Sequence, residues 1–554
     1  MVSGPFLFPL HTAPIPSFWS EWLASALGLA GAVAGLLFAR RQSLKLPPTL
    51  GIPAVLLLTL LLQYLLGSLF FPQIGLLTAS YLLWAGLLMI LGRHLADTIG
   101  FGRLADVLAG ALVFGAMVGA GIAFAQWMEI SAYAPWIFPS DGRIYANIGQ
   151  ANHHVHYSWL GIASAFYLRG RGCLSRSFLW LSIIPIAFFS ILGGSRSALL
   201  YPVILLSVIA WAKRKEPGGS LASLQADAAL LLPAVIVLNF LGPVAGSGSA
   251  FRLYDSVSGP SERLAVARAG WSAFLEHPWL GQGAGNYPWA SFLAAASRTG
   301  EEPVRVAEHA HNFILHGLAE FGAPATCAVI LLLILWVKNF VRQPWGLEQF
   351  WCAAVLGIGV AHSLLEYPLW YTFFLGPTAL LLGASDGGKT IILAGRRIVF
   401  YLVIAAFGGA WVLARLSIDY AAIEAASFHP LAAHADREQA WRITLDRLKE
   451  LQRESLLSPW ALLAFAELAE PSRLQAKERA VLCEQGIRFS PTSSLLTRCA
   501  MQLAIAEREA DAVKLTLAVL RAHPQAKKSI TTALAKGAQT FPEVRPLWVL
   551  SEQP

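Results

Sequence analysis

The chain has 554 residues, 56% hydrophobic and 13% charged, with a formal net charge of +8 and a mean hydropathy of +0.56. Soluble globular domains carry about 25% charge, so this composition excludes a soluble enzyme; 19 Trp and 30 Phe exclude a disordered or coiled-coil chain. An integral membrane protein remains.

Charge divides the chain. The last 139 residues hold 33 charged side chains and the first 415 hold 41, which predicts a membrane part, 1–415, and a water-soluble tail, 416–554. The membrane part has 24 basic against 17 acidic residues, the excess expected of basic loops meeting anionic lipid and no signal for nucleic acid. The five cysteines include no CxxC pair and are too few for a disulfide framework or a structural zinc site, so they leave the redox compartment open.

Pro5, Pro9, Pro14 and Pro16 make the first 18 residues a poor helix. The first basic residue is Arg40, so no positively charged leader and no cleavable signal peptide are expected. Apolar stretches long enough for a bilayer core of about 30 Å follow near 20–38, 51–71, 75–92, 104–127, 155–168, 177–192, 198–212, 227–242, 312–337, 349–366, 368–386 and 397–415. These predict an all-α polytopic bundle of about twelve spans. Alternate connections carry Arg40, Arg41 and Lys45, then Arg93 and Arg103, Arg169 and Arg171, Lys213 to Lys215, Lys338 and Arg342, and Lys389 with Arg396. Basic residues stay in the cytoplasm; the N-terminus, the segment 243–311 and the tail are therefore expected outside. Beyond Leu416, the stretches 480–487, 493–506, 510–522 and 529–536 read as amphipathic helices, with Gly537 as the stop of the last. Helix pairs of about 34 residues ending near Pro resemble degenerate tetratricopeptide units, which build protein-binding surfaces; a helical cap without a partner is the alternative.

Several outer segments carry chemistry. Arg196 lies in the turn Gly193-Gly194-Ser195-Arg196, where its planar fork suits a phosphate or snorkels to lipid headgroups. Within 243–311, residues 261–271 read as a helix carrying Arg263 and Arg268, which diverge so that one faces a site. Gly281-Gln282-Gly283-Ala284-Gly285 follows, read as a tight turn rather than a nucleotide loop. Glu308-His309-Ala310-His311-Asn312 stands at the mouth of the next helix; a histidine there is either a proton acceptor or a helix cap. His309, His311 and His316 fall on different faces of a helix, a poor metal site, and DxD, HExxH and paired carboxylates are missing, which argues against a metal-dependent transferase or hydrolase. Gly149-Gln150-Ala151-Asn152-His153-His154 and His362-Ser363-Leu364-Leu365-Glu366-Tyr367 to Tyr371 are unusually polar for membrane depth, as cavity linings are. A transporter or flippase would show repeated halves, and the sequence has none.

Together these segments resemble the O-antigen ligase/polymerase superfamily, and the HSLLEYPLWY and GQANHH segments with the helical tail resemble its PglL-type protein O-oligosaccharyltransferases. The resemblance spans about 130–385. Relatives often carry one more hydrophobic helix before a segment like Pro9–Trp22. The resemblance implies a GT-C-like membrane enzyme of the bacterial inner membrane, with no cofactor. It joins a glycan carried on undecaprenyl pyrophosphate to an acceptor hydroxyl at the periplasmic face. The acceptor is a pilin-like exported protein or, in ligases, lipid A-core. By the same resemblance His311 is the general base and Arg196 and Arg263 hold the pyrophosphate. Gln150 and Tyr367, or nearby Tyr371, are polar positions of the protein-glycosylating branch; beyond the resemblance, His309 and Arg268 are further substrate-binding candidates.

Overall fold

The computed structural model describes residues 1–38, 43–130, 134–140, 142–216, 224–241, 260–298, 305–393, 396–428 and 437–553. Arg40, Arg41, and residues 243–259 and 299–304 of the predicted outer loop lie outside the described residues. Among those described, the structure is α-helical apart from one antiparallel ribbon, β1 (Leu44–Leu46) with β2 (Ile391–Leu393), in which Leu44 faces Leu393.

Each predicted apolar stretch is a helix: α1 (Phe18–Phe38), α2 (Gly51–Leu65), α3 (Pro72–Thr98), α4 (Phe101–Trp127), α5 (Ala151–Gly170), α6 (Arg176–Leu192), α7 (Ser197–Lys215), α8 (Gln225–Leu241), then, past the loop, Phe313–Val341, Leu347–Ser363, Thr372–Ser385 and Arg396–Phe428. Among the described residues, seven helices are long and apolar enough to cross a membrane, and 176–192, 225–241 and 372–385 are shorter apolar helices. The protein is thus a multi-pass membrane protein.

The helices after α8 are α9 (Pro260–Glu276), α10 (Tyr287–Ala296), α11 (Phe313–Val341), α12 (Leu347–Ser363), α13 (Thr372–Ser385), α14 (Arg396–Phe428), α15 (Arg437–Glu454), α16 (Ser458–Leu468), α17 (Ala476–Phe489), α18 (Ser493–Ile505), α19 (Glu509–Ala522), α20 (Lys527–Thr540) and α21 (Arg545–Glu552). They fall into two compact units: Met1–Ala54, Tyr81–Ser258 and Val329–Leu413 form the first, and Val55–Ser80, Gly259–Ala328 and Ala414–Pro554 form the second.

The first unit is built around α5, which packs on α4, α6, α7 and α12. Side chains from Ala151 to Leu168 are buried apart from Asn152. Because protein surrounds it, α5 carries His153, His154, His156 and Ser164 through the bundle, where a lipid-facing helix would pay heavily for them. Trp351 Nε1 donates to Ser164 Oγ at 2.9 Å. A Cβ on Gly161 would come within 2.3 Å of Ala116 Cβ, so this glycine sets the close approach of α4 and α5. Basic connections find carboxylates: buried Asp227 takes Arg176 at 2.8 Å and Arg169 at 3.7 Å.

In the second unit the tail helices α15 to α19 pack in chain order, α20 packs on α18 and α21, and α10 from the loop segment packs on α17 and α19. Phe292, Ala295 and Ala296 of α10 share one apolar core with Leu496, Leu503, Val519, Leu534 and Leu547. Cys483 and Cys499 form a disulfide between α17 and α18, a pairing that the cysteine count did not anticipate. Gly537 does not stop its helix: α20 runs on to Thr540. There a Cβ would lie 2.6 Å from Met501 Sδ, so the glycine serves close packing on α18.

Candidate active site

In the first unit, Gln150 stands at the N-terminus of α5 and Arg196 at the N-terminus of α7. Tyr367 follows the C-terminus of α12. Contacts bring these ends together. A Cβ on Gly193 would lie 2.9 Å from Ile144 O and 3.7 Å from Ala151 Cβ, so the Gly193–Arg196 turn rests beside Gln150. Asn152 Nδ2 donates to Glu366 Oε1 at 2.6 Å. Tyr201 Oη and His362 Nδ1 are 2.7 Å apart. The rings of His153 and Tyr371 are 4.9 Å apart and those of His153 and Tyr367 6.3 Å. Arg196 is exposed, and Tyr367 and Tyr371 are half-buried. The side-chain carbonyl of Gln150 is buried with no hydrogen-bond partner. Burying an acceptor without a partner costs about 1–3 kcal/mol, and a hydroxyl-bearing ligand offers what it lacks. The sequence marks Gln150 through the family resemblance alone; the burial of this acceptor comes from packing.

In the second unit, residues 305–312 are not helical, so the helical-face argument for His309, His311 and His316 gives way to a different arrangement. The Oδ1 of Asn312 accepts from the backbone N–H groups of Ile314 at 3.0 Å and Leu315 at 3.1 Å. Asn312, rather than a histidine, therefore caps α11. His311, just outside the cap, is half-buried and has φ +51°. The rings of His309 and His316 approach to 5.3 Å; burial, with His316 and His311 nearby, holds the His309 imidazole well below its ordinary range. His309 is thus neutral near pH 7.

The glycine segment is a turn between α9 and α10, as read from the sequence. Gly281 and Gly322 have φ of +72° and +77°, and a Cβ on either would strike the backbone opposite, Glu320 C at 2.3 Å and Trp279 O at 2.4 Å. Gln282 N–H and Gly283 N–H donate to the carbonyls of Ala319 and Glu320. The turn is thereby zipped onto the first part of α11, which kinks at Gly322. Arg263 and Arg268 are both exposed on α9. Arg268 lines a small cleft with Arg298, Arg305, Ser272 and alanines of α9 and α10.

These polar helix ends belong to a multi-pass membrane protein. Residues 180–330 match the family described as O-antigen ligase, and residues 350–536 match virulence factor membrane-bound polymerase, C-terminal. The general O-oligosaccharyltransferase of Acinetobacter baylyi is 25% identical over 400 residues, 69% of this chain and 68% of that protein. The ComP-specific O-oligosaccharyltransferase of the same organism is 23% identical over 332 residues, 58% of each chain. The chain is thus similar to O-antigen ligases over part of its length and to O-oligosaccharyltransferases, which are glycosyltransferases, over more than half of it.

Proposed function

We propose that this protein is an O-oligosaccharyltransferase that moves a preassembled glycan from undecaprenyl pyrophosphate to Ser or Thr hydroxyls of exported proteins such as pilins. The acceptor hydroxyl gives its proton to His311 as its oxygen attacks the anomeric carbon. The bond from that carbon to the phosphate oxygen breaks, and undecaprenyl pyrophosphate leaves with the electron pair. Such a donor already has a good leaving group, so one base and fixed positive charge suffice. Arg196 and Arg263 hold the pyrophosphate, and Arg268 is a further substrate-binding candidate. Gln150 accepts from a donor hydroxyl, Tyr367 lines the same end of the bundle, and His309 packs behind His311.

One observation carries the base assignment: Asn312 caps α11, so the helix end does not need His311, and that histidine stands outside the cap at φ +51°. The proposed organisation is a transferase domain, 1–415, of about twelve spans in the inner membrane, with 243–311 as its periplasmic catalytic loop and 416–554 as a periplasmic tetratricopeptide-like domain. The Cys483–Cys499 disulfide supports an oxidising compartment for the tail.

Intact-mass analysis of periplasmic proteins, with and without this gene in cells making one defined lipid-linked glycan, tests the acceptor. A glycan-sized increment on an exported protein is expected. Glycan appearing on lipid A-core alone would replace this reading with that of an O-antigen ligase.

A further inference from the structure

Glu320 is 5% exposed, and its two carboxylate oxygens face different parts of the second unit. Oε1 accepts from the backbone N–H of Gly285 at 3.0 Å and of Tyr287 at 3.4 Å. Oε2 lies 3.4 Å from His316 Nε2, four residues back on α11. On the other side of the imidazole, Nδ1 accepts the backbone N–H of Ala310 at 3.2 Å. A ring nitrogen that accepts from an amide carries no proton, which leaves Nε2, 3.4 Å from the carboxylate, as the nitrogen able to donate. The ring is held on its faces as well, with Tyr287 at 4.9 Å and His309 at 5.3 Å between centroids.

The chain of contacts therefore runs from the glycine turn through Glu320 and His316 to the His309–Ala310 peptide, one residue before His311. We propose that Glu320 and His316 are positioning residues, which fix the His309–Ala310 peptide next to the left-handed backbone of His311 and so aim the His311 imidazole at the acceptor hydroxyl. The inference rests on His311 being the base. A left-handed backbone is uncommon outside glycine because the Cβ of an L-residue crowds the following carbonyl, so it persists where the surroundings fix it. Here the fixing contact is the Ala310 N–H on a ring whose other nitrogen lies 3.4 Å from the Glu320 carboxylate. Carboxylate–imidazole pairs orient a working group in this way without touching the reacting atoms.

Glu320→Gln is the informative variant. Its carbonyl oxygen still accepts from Gly285 and Tyr287, but its amide donates toward Nε2. That moves the ring proton to Nδ1, where it opposes the Ala310 N–H. Transfer from lipid-linked glycan to a peptide acceptor would be measured on the purified full-length protein, alongside donor binding and thermal unfolding. The expected result is kcat lowered about tenfold or more, with donor affinity and unfolding temperature close to wild type. In a His311→Ala background the same change should cost nothing further, because both act through one group. Wild-type kcat for Glu320→Gln, or equal fractional losses in the two backgrounds, would overturn the positioning role. Wild-type transfer by His311→Ala alone would instead overturn the base assignment, and with it any role exercised through that ring.

Discussion

Asn152 Nδ2 donates to Glu366 Oε1 at 2.6 Å, tying the first turn of α5 to the segment that follows α12. Glu366 is 5% exposed, so its charge depends on the groups that meet it. Asn152→Ala removes a donor and should cost about 1–3 kcal/mol. Asn152→Asp faces one carboxylate with another and should cost more. Thermal unfolding of both variants in detergent checks the order; an aspartate variant as stable as wild type would show that Glu366 is protonated.

For the histidines, removal of a general base costs roughly 10²- to 10⁴-fold in rate. His311→Ala should insert in the membrane and bind the lipid-linked donor yet transfer almost nothing, while His309→Ala keeps substantial activity. Donor binding and glycan transfer on both purified variants are the measurements, and normal transfer by His311→Ala would refute the role.

His309 also bears on pH. Its imidazole is held below the ordinary range by burial, so folding favours its neutral form. That contribution is present above the unfolded pKa, about 6.5, and is lost as pH falls through the folded value. His309→Gln should therefore soften the loss of stability on acidification below about pH 6, read as unfolding temperature against pH.

Arg196 and Arg263 separate charge from geometry. Lysine at either position keeps the charge and loses the bidentate fork. Each lysine variant should fold normally and transfer more slowly; wild-type transfer by both would leave the arginines as surface anchors.

Topology follows from the basic connections and from the Cys483–Cys499 pair, whose closed loop has a sequence separation of 16. Alkaline phosphatase fused after Leu416 should be active, whereas activity after Lys215 with none after Leu416 would invert the orientation. Reducing the disulfide should destabilise the tail by about 3 kcal/mol, seen as a lower unfolding temperature under reductant.

What the sequence determined by itself follows from local composition. The apolar runs are set by the length a bilayer demands, and each became a helix, the last running on past its expected end at 415 to Phe428. The glycine turn and the tail helices from 476 to 540 were legible for the same reason, since period and turn chemistry are written in neighbouring residues. The first tail helix, α15, went unread because its pattern alone carries no boundary signal, and Gly537 was misread because a glycine that ends a helix and one that admits a neighbouring helix look alike. Tertiary structure decided the rest. Only packing makes α5 a buried helix that can carry its histidines, removes every partner from Gln150 Oε1, and joins α10 to the tail in one core. Only the path of the chain between His309 and His316 puts the Ala310 N–H on one imidazole and leaves its other nitrogen facing Glu320. Distances of a few ångströms between groups far apart along the chain follow from how the whole bundle closes, and no local pattern encodes them.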